Sequence, residues 1–505
     1  MTRRFTYLNL LEALALTAQR FNIRLPEVIL KPLRSLLTGL VKDKTIDQSI
    51  KDWSTPLIAG REVMSDQFVS AAKVPIGIEN GTLPMAINLP EVEGSVKRTM
   101  SSAESKDGLR CLLVTSALDV GGLDEVVAFL ARRLPRYNIY TAVLHASAEG
   151  SVDGFPTGRL GQLLLEQGIE TVELAAVAGE RWLKTWRPDV ISAHGAPPWV
   201  LDAATRLSIP YLETLHGMHS HFDTDWTAEA ERGRRLAGIV TVSDLNRRQY
   251  LNGNPTFPKE RIVTIPNAVD DERRILGDRN RTRKRLGIEN EYLFVSLARH
   301  CLQKNTYGLV AGFEAVAAQH PEAHLLIAGH PSDEIYFAQV LRLRESLACR
   351  DRIHLRDHVS NPAELLAAAD GFVLDSFFEG WSLASMEALY AGVPVVLSEV
   401  GGALEQVGED KKRGYVIPNP LGNPLQVNWQ TMRKARFTCQ ANQEALVAAM
   451  SSLITDRTMW IDKRQWLISE SATRFHPDVC LRSHARVLMA AVCGNPLHQY
   501  EDVLL

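Results

Sequence analysis

The chain has 505 residues, of which 45% are hydrophobic and 23% charged, and its formal net charge is -3 at pH 7. This length favours at least two domains, and the small net charge gives no support for binding to nucleic acid. The six cysteines are scattered, without a CxxC pair or a metal-ligand spacing. Such cysteines are typical of reduced core residues, which favours a cytoplasmic protein.

The start of the chain, "MTRRFTYLNLLEALALTAQRF", has two arginines followed by leucines, as a signal peptide does. Glu12 interrupts the apolar run, however, and the apolar residues recur at helical spacing. We therefore predict an amphipathic helix that is retained. No stretch of the sequence reaches the roughly 20 uninterrupted apolar residues that a membrane helix needs.

A second helical pattern lies at residues 26–44 and combines leucine and valine with basic residues. The pattern suits a helix on an anionic membrane surface, and it suits a docking or oligomerisation helix equally well. Residues 94–108 are small and polar, as linkers are. We predict that residues 1–106 form a largely helical extension and linker.

Short apolar strands alternate with helical patterns from Leu109 onward. A first set includes "LRCLLVTSA", "PDVISAH" and "GIVTVS", and a second set, after the polar stretch 270–291, includes "YLFVSLA", "AHLLIAG" and "DGFVLDS". Near-continuous Val, Ile and Leu strands separated by helices predict parallel sheets covered on both faces. We predict an α/β protein with two doubly wound, Rossmann-like domains, at 107–272 and 273–460, followed by helices at 461–505.

The loops that follow strands carry the candidate site residues, because ligands of open parallel sheets bind beyond the carboxyl ends of the strands. Gly121 and Gly122 follow the first strand and precede a helix, which suits an anion close to the helix N-terminus. A glycine pair in such a turn is also ordinary turn chemistry. The turn is not GxGxxG, which argues against a dinucleotide site.

Histidines cluster in "TLHGMHSHFD", where His216 stands at a strand end and His219, His221 and Asp223 follow. The spacing is that of a loop and not of an HExxH helix, so zinc is disfavoured. We expect His216 to act through a hydrogen bond and the other two histidines to lie in solvent.

Two cations, Arg299 and Lys304, follow the first strand of the second set. Together they are suited to neutralise a diphosphate. Each of them alone is equally typical of an ordinary surface charge, so their position after a strand end is what favours a role in binding.

Two glutamates flank a turn in "FFEGWSLASMEALYAG", with Glu379 at a strand end and Glu387 inside the next helix. If Ser382 caps that helix, the amides of 380–383 form an anion cradle, and the carboxylates could bind vicinal hydroxyl groups. From the spacing alone, this interpretation is as well supported as the alternative that both glutamates are exposed surface acids. The glycine pair 401–402 forms another phosphate-compatible turn.

These stretches together resemble the retaining glycosyltransferases of the GT-B fold, specifically family 4. The resemblance rests on "EGWSLASME" at 379–387, "PVVLSEVGGALE" at 394–405, "LARHCLQKN" at 297–305 and "IPNAVD" at 265–270, and it extends over about 109–492. The sequence departs from the family at Asn305, where a glycine is usual. It also carries "HPSD" after "LLIAG" and an apparent insertion at 419–440, and no counterpart is recognised for residues 1–106.

The resemblance implies a GT-B fold with a cleft between the two domains, and final helices that cross back to the first. It implies that Arg299 and Lys304 bind the donor diphosphate, that Glu387 binds the ribose, and that Glu379 and His216 lie at the transferred sugar. The catalytic residues that the resemblance implies are therefore His216, Glu379, Arg299 and Lys304. Its donor-binding residues are Gly121, Gly122, Arg299, Lys304, His358, Val359, Glu379, Gly380, Trp381, Ser382, Leu383 and Glu387, with the nucleotide base near 356–360.

The implied reaction moves a sugar from a nucleotide-diphosphate sugar to a glycan, lipid-linked or other hydroxyl acceptor with retention of configuration. No metal or other cofactor is expected. The protein is expected in the cytoplasm, with peripheral association at the inner membrane face as an alternative. Rival functions are a nucleotide-sugar epimerase of the same fold, a phosphorylase, and an inactive GT-B scaffold or binding protein. The four residues Arg299, Lys304, Glu379 and Glu387 are all present, which argues against the inactive scaffold.

Overall fold

The structure is a computed structural model, and it describes residues 108–119, 121–270, 277–357, 359, 361–408 and 410–497. The predicted helical extension at 1–106 lies outside the described residues. None of the helices within the described ranges is long and apolar enough to span a membrane.

The first sheet has seven strands, and every neighbouring pair is parallel. The strand order is β3-β2-β1-β4-β5-β6-β7. The strands are β1 (Leu109–Thr115), β2 (Ile139–His145), β3 (Thr171–Glu173), β4 (Val190–His194), β5 (Tyr211–Leu215), β6 (Gly238–Thr241) and β7 (Ile262–Thr264).

The second sheet has six strands, again parallel throughout, in the order β10-β9-β8-β11-β12-β13. The strands are β8 (Tyr292–Leu297), β9 (Ala323–Ala328), β10 (Ile353–Arg356), β11 (Gly371–Leu374), β12 (Val395–Ser398) and β13 (Gly414–Ile417). The prediction of two doubly wound, Rossmann-like sheets is therefore confirmed.

Helices connect the strands. Within the described residues they are α1 (Gly122–Arg133), α2 (Arg159–Glu166), α3 (Ala176–Trp186), α4 (Pro198–Leu207), α5 (Trp226–Gly233), α6 (Asp244–Gly253), α7 (Arg279–Leu286), α8 (Thr306–Gln319), α9 (Glu334–Ser346), α10 (Pro362–Ala368), α11 (Leu383–Tyr390), α12 (Ala403–Val407), α13 (Trp429–Ala435), α14 (Gln443–Thr455), α15 (Arg457–Arg474) and α16 (Pro477–Cys493). The apparent insertion at 419–440 contains α13 and a short 3-10 helix, Pro424–Gln426.

The strands of the first sheet are apolar on both faces because both faces are covered. Leu113 of β1 packs on one face with a cluster that includes Leu488 of α16. Leu112, its neighbour in the same strand, packs on the other face with Val200 of α4. The final helix thus contributes to the core of the first sheet, while the predicted domain boundaries themselves stay predictions.

The order of the strands reverses at one point in each sheet. This switch point lies between β1 and β4 in the first sheet and between β8 and β11 in the second. Loops that leave the two sides of a switch point diverge and leave a crevice at the carboxyl edge of the sheet. The loops after β8 and β11 carry Lys304 and Glu379, so both residues come to this crevice.

A buried carboxylate fixes the junction of β8 and β11 at its other end. Asp370, directly before β11, accepts a hydrogen bond from the backbone N–H of Leu293 in β8 at 2.9 Å. Its two oxygens also pair with Arg279 at 2.6 Å and with Arg283 at 2.9 Å. The Arg279 guanidinium donates in addition to the carbonyls of 367–369, so one carboxylate ties α7, α10, β8 and β11 together.

The Asp370→Asn variant is expected to lose about 3 kcal/mol of unfolding free energy, because it leaves buried guanidinium charge without its counter-charge. Urea-induced and thermal unfolding of the full chain measure this loss. The matched control is Asp351→Asn, which removes an exposed carboxylate 4.0 Å from Arg350 and should change stability by less than about 0.5 kcal/mol. Equal stability of the two variants would contradict the role given to Asp370.

Candidate functional site

The loops after β8 and β11 are joined by hydrogen bonds along their length. The backbone N–H of Phe377 donates to the carbonyl of Gln303 at 2.9 Å, and the Gln303 side chain donates to the carbonyl of Phe378 at 3.2 Å. At the end of these loops the Lys304 ammonium lies 2.5 Å from Glu379 Oε1. Ser376 Oγ donates to the same carboxylate oxygen at 2.7 Å.

Both glutamates of the turn are buried. Glu379 and Glu387 are each 8% exposed, which excludes the interpretation that they are surface acids. The predicted helix cap is confirmed, since Ser382 Oγ accepts a hydrogen bond from the backbone N–H of Ser385 at 3.2 Å. The buried Gln406 supports this cap by donating to the Ser382 carbonyl at 2.9 Å.

The loop that follows β5 of the first sheet contacts this turn through backbone atoms. A Cβ at Gly380 would lie 1.8 Å from the carbonyl oxygen of His216, so glycine is required where the two loops approach each other. The backbone N–H of Met218 donates to the Glu379 carbonyl at 3.4 Å. The first sheet's glycine turn also reaches this point, because a Cβ at Gly122 would lie 3.8 Å from Leu383 Cδ1.

The glycine pair 401–402 is required for packing, and its use as a phosphate-binding turn stays a prediction. A Cβ at Gly401 would lie 2.1 Å from the Gly380 carbonyl oxygen, and one at Gly402 would lie 2.1 Å from the Trp381 ring. The backbone N–H of Gly402 also donates a hydrogen bond to the carbonyl of Gly380 at 2.9 Å. The side chain of Trp381 is thus part of the core beneath the turn.

His216 belongs to a hydrogen-bonded chain of side chains that the sequence did not reveal. Its Nε2 lies 2.7 Å from Nδ1 of His194, and His194 Nε2 lies 3.1 Å from Ser192 Oγ. Burial, with smaller contributions from His484 and His219, lowers the pKa of His216 to about 3. Burial also holds the pKa of His194 well below its usual value, so both rings are neutral at pH 7.

The other two histidines of the loop differ from each other. His219 is exposed, as expected, and lies against the ring of Phe378 with 5.5 Å between centroids. His221 is not in solvent, which corrects the expectation for this residue. Its ring packs against Trp226 and Tyr250, each 5.7 Å away, and burial lowers its pKa to about 4.

Arg299 is exposed at the mouth of the site and makes long hydrogen bonds of 3.4 Å to Ser332 and Gln303. Val359 follows β10, the edge strand, which β9 separates from β8. His358 lies outside the described residues. The structure therefore brings Lys304, Glu379, Gly380 and His216 together, with Arg299 on the same loop as Lys304.

A buried polar network lies behind Lys304, and sequence reasoning missed it. Asn305 donates to Asp375 at 2.9 Å and exchanges two hydrogen bonds of 2.7 Å with Gln440, while Asn442 donates to Asp375 at 2.6 Å. Asn305 has φ 52° and ψ 38°, a left-handed conformation that glycine adopts freely and asparagine tolerates. This explains how Asn305 replaces the family's usual glycine.

A cavity of about 170 Å³ opens beside His216 at the carboxyl end of β5. Its walls come from β5, from the 3-10 helix Met218–His221, and from α5 and Tyr250.

Two family models match the chain. The model described as "Glycosyltransferase Family 4" matches residues 120–273, and the model described as "Glycosyl transferases group 1" matches residues 278–430. Together the matched segments cover more than half of the chain. The two Rossmann-like sheets and the site at their carboxyl edges define a GT-B protein. The chain belongs to the group 1 glycosyltransferases.

Curated relatives match over part of their length. A glycogen synthase of Mycobacterium tuberculosis is 27% identical over 262 residues, which are 49% of this chain and 59% of that protein. The mannosylfructose-phosphate synthase of Agrobacterium fabrum is 30% identical over 242 residues, 42% of this chain and 53% of that protein. The chain thus spans somewhat more than half the length of these relatives.

Solved structures share the fold. The Anabaena protein HepE, in complex with UDP and glucose, has a TM-score of 0.61 and 16% identity, over 76% of this chain and 100% of that one. The sucrose-phosphate synthase of Thermosynechococcus elongatus has a TM-score of 0.58 and 15% identity, over 77% of this chain and 100% of that one.

The ionisation of Asp375 predicts a pH dependence of stability. Burial raises the pKa of Asp375 to about 7 from 3.8, against the opposing effect of hydrogen bonds from Asn442 and Asn305. Between about pH 4 and pH 7, Asp375 is therefore protonated in the folded state and ionised in the unfolded state. The folded state thus binds the Asp375 proton more tightly than the unfolded state does. The stability gained from this tighter binding is present below pH 4 and is lost as the pH rises to 7.

The Asp375→Asn variant should remove this dependence. Between pH 4 and 7 the unfolding free energy of the natural protein is expected to fall relative to the variant by about 1 kcal/mol per pH unit. Urea unfolding across this range measures the difference, with the exposed Asp462→Asn as control. Parallel curves for the natural protein and the Asp375 variant would contradict the assignment.

Proposed function

We propose that the chain is a retaining hexosyltransferase that moves a sugar from a nucleoside-diphosphate sugar to a hydroxyl group of a glycan, lipid-linked or other acceptor, without a metal or other cofactor. The observation that carries the proposal is the Lys304–Glu379 ion pair at the β8–β11 switch point, beside the backbone of His216. It supports the proposal because it places a cation, a carboxylate and a histidine loop at one crevice.

The diphosphate is assigned to Arg299, Lys304 and the capped start of α11. Arg299 is exposed, and its hydrogen bonds to Ser332 and Gln303 are long, at 3.4 Å each, so turning to a phosphate breaks only weak contacts with these two residues. Lys304 is fixed by Glu379 within reach of the same crevice. Two cations and a helix N-terminus stabilise the charge that develops on a departing diphosphate.

The two glutamates are assigned to hydroxyl groups. Lys304 and Ser376 both donate to Oε1 of Glu379, and we assign Oε2 to the transferred sugar. Glu387 lies five residues beyond Ser382, in α11, and is assigned to the ribose. The structure of HepE with UDP makes UDP-sugars the first donors to test.

His216 is assigned to a hydroxyl of the transferred sugar, as a hydrogen-bond donor. Ser192 is 3% exposed, and a buried hydroxyl is expected to donate its proton to a partner. If Ser192 donates to His194 Nε2, then His194 Nδ1 donates to His216 Nε2, and His216 carries its proton on Nδ1. His194 is then a positioning residue, which sets the tautomer and orientation of His216.

A nucleotide-sugar epimerase and an inactive scaffold are the rival functions. An epimerase converts the donor without an acceptor, and an inactive scaffold releases no nucleoside diphosphate. Release of nucleoside diphosphate that increases when an acceptor is added distinguishes the proposed transferase from both.

The donor site is tested by calorimetric titration of the full chain with UDP-, GDP- and ADP-glucose. Arg299→Met and Glu387→Gln are expected to weaken binding of the preferred donor by roughly 10- to 100-fold, because each removes a charge-assisted hydrogen bond. The matched control is Arg350→Met, which removes an exposed cation before β10 and should bind as the natural protein does. Failure to bind any nucleoside-diphosphate sugar would refute the proposed function.

The role of His194 is tested with a pair of variants of equal size. Asn at 194 can still donate to His216, whereas Leu cannot. We expect His194→Leu to lower kcat roughly tenfold with donor KM little changed, and His194→Asn to retain most of the activity. Equal losses in the two variants, or a loss confined to KM, would show that His194 acts only in packing.

A further inference from the structure

The cavity beside His216 has a polar lining, of which the proposed donor site uses only His216. Glu213 and Thr214 line it from β5, His216 lines it directly after β5, and Glu229 and Arg232 line it from α5. Because His216 is shared, a ligand in this cavity lies next to the position proposed for the transferred sugar. The volume of about 170 Å³ is several times the roughly 30 Å³ of one water and below that of a pocket for a drug-sized ligand.

Two buried polar atoms in this lining lack partners. Thr214 Oγ1, in a residue 4% exposed, and His221 Nε2 have no hydrogen-bond partner among the described residues. Burial without a partner costs free energy. His221 also bonds to the backbone of Asn246 and its ring is neutral, so Nε2 is an acceptor. Thr214 both donates and accepts, so the pair matches the hydroxyl groups of a ligand.

The charges of the lining disfavour an anionic ligand. Among the described residues that line the cavity, Arg232 is the one permanent cation. It is already paired with both carboxylates: it bonds to Glu213, and its Nε lies 2.7 Å from Glu229 Oε2. Tyr250 also donates to Glu229, at 2.9 Å. A phosphate or carboxylate entering here would lie next to two carboxylates and one committed guanidinium.

We propose that this cavity binds the end of the acceptor that carries the attacking hydroxyl, and that this end is an uncharged, polyhydroxylated ring such as a sugar or cyclitol. The inference rests on the proposed function, since it supplies that reaction with its second substrate class. Phosphorylated rings are rejected in the cavity, although charge farther along the acceptor is compatible with it. Thr214 and His221 act as specificity residues that bind the ring hydroxyls.

The test compares matched neutral and phosphorylated probes on the full chain in the presence of the nucleoside diphosphate that the donor panel selects. The probes are methyl glucoside, methyl mannoside, fructose and inositol, each beside its monophosphate, and binding is followed by saturation-transfer NMR. At least one neutral probe is expected to bind at least tenfold more tightly than its phosphate.

Variants locate this binding. Thr214→Val and His221→Phe keep the shape of the side chains and should weaken binding of the neutral probe roughly three- to tenfold. Glu213→Gln removes a negative charge and should reduce the ratio of the affinity for the neutral probe to the affinity for its phosphate. The control is Thr171→Val, which changes a buried threonine of β3 in the same sheet and should leave binding unchanged.

The outcomes separate this inference from the proposed function. Binding of the nucleoside diphosphate is measured in the same samples, and its absence would refute the donor site. If the nucleotide binds, the cavity proposal is overturned by a preference for phosphorylated probes, by binding of no neutral probe, or by unchanged affinity in both Thr214→Val and His221→Phe.

Discussion

The pairing of β8 with β11 is the constraint on which the rest of the site depends. These strands are 74 or more positions apart in the chain, yet Phe372 lies in register with Val295. Asp370 fixes one end of the junction through Leu293 and two arginines. At the carboxyl end, the loops that follow the two paired strands border one crevice, where Lys304 contacts Glu379. A cation and a carboxylate that are distant in sequence thus form one site because the strand order reverses between them.

The second constraint is the close approach of the two sheets at Gly380. The His216 carbonyl occupies the space of a side chain at that position, so the histidine loop of the first sheet lies directly on the glutamate turn of the second. Gly401 and Gly402 then allow the next loop to pack beneath the same turn. These contacts fix the turn from both sides, while Arg299 is exposed and makes only long hydrogen bonds to Ser332 and Gln303. A rigid turn beside a loosely held cation suits the charged leaving group of the proposed reaction.

Local patterns were sufficient to predict the two sheets, the strand-end loops and the cap at Ser382, because each depends on residues close together in the chain. Pairings over long separations could not be predicted. The bond between Asn305 and Gln440 joins residues 135 positions apart, and His194 meets His216 only because β4 and β5 are neighbours. The packing role of Gly401 and Gly402 could not be predicted, because a glycine pair in the sequence looks the same whether it admits a ligand or another loop. Polar residues at strand ends, such as His194 and Asp375, were the signal that could have pointed to the missed network.

The most direct measurement of the central claim is a crystal structure of the full chain with bound UDP or the nucleoside diphosphate that it prefers. The account predicts the diphosphate between the Arg299 guanidinium and the start of α11, with Lys304 in contact and the ribose hydroxyls on Glu387. A nucleotide bound away from the β8–β11 crevice, or a ribose that makes no contact with Glu387, would contradict it.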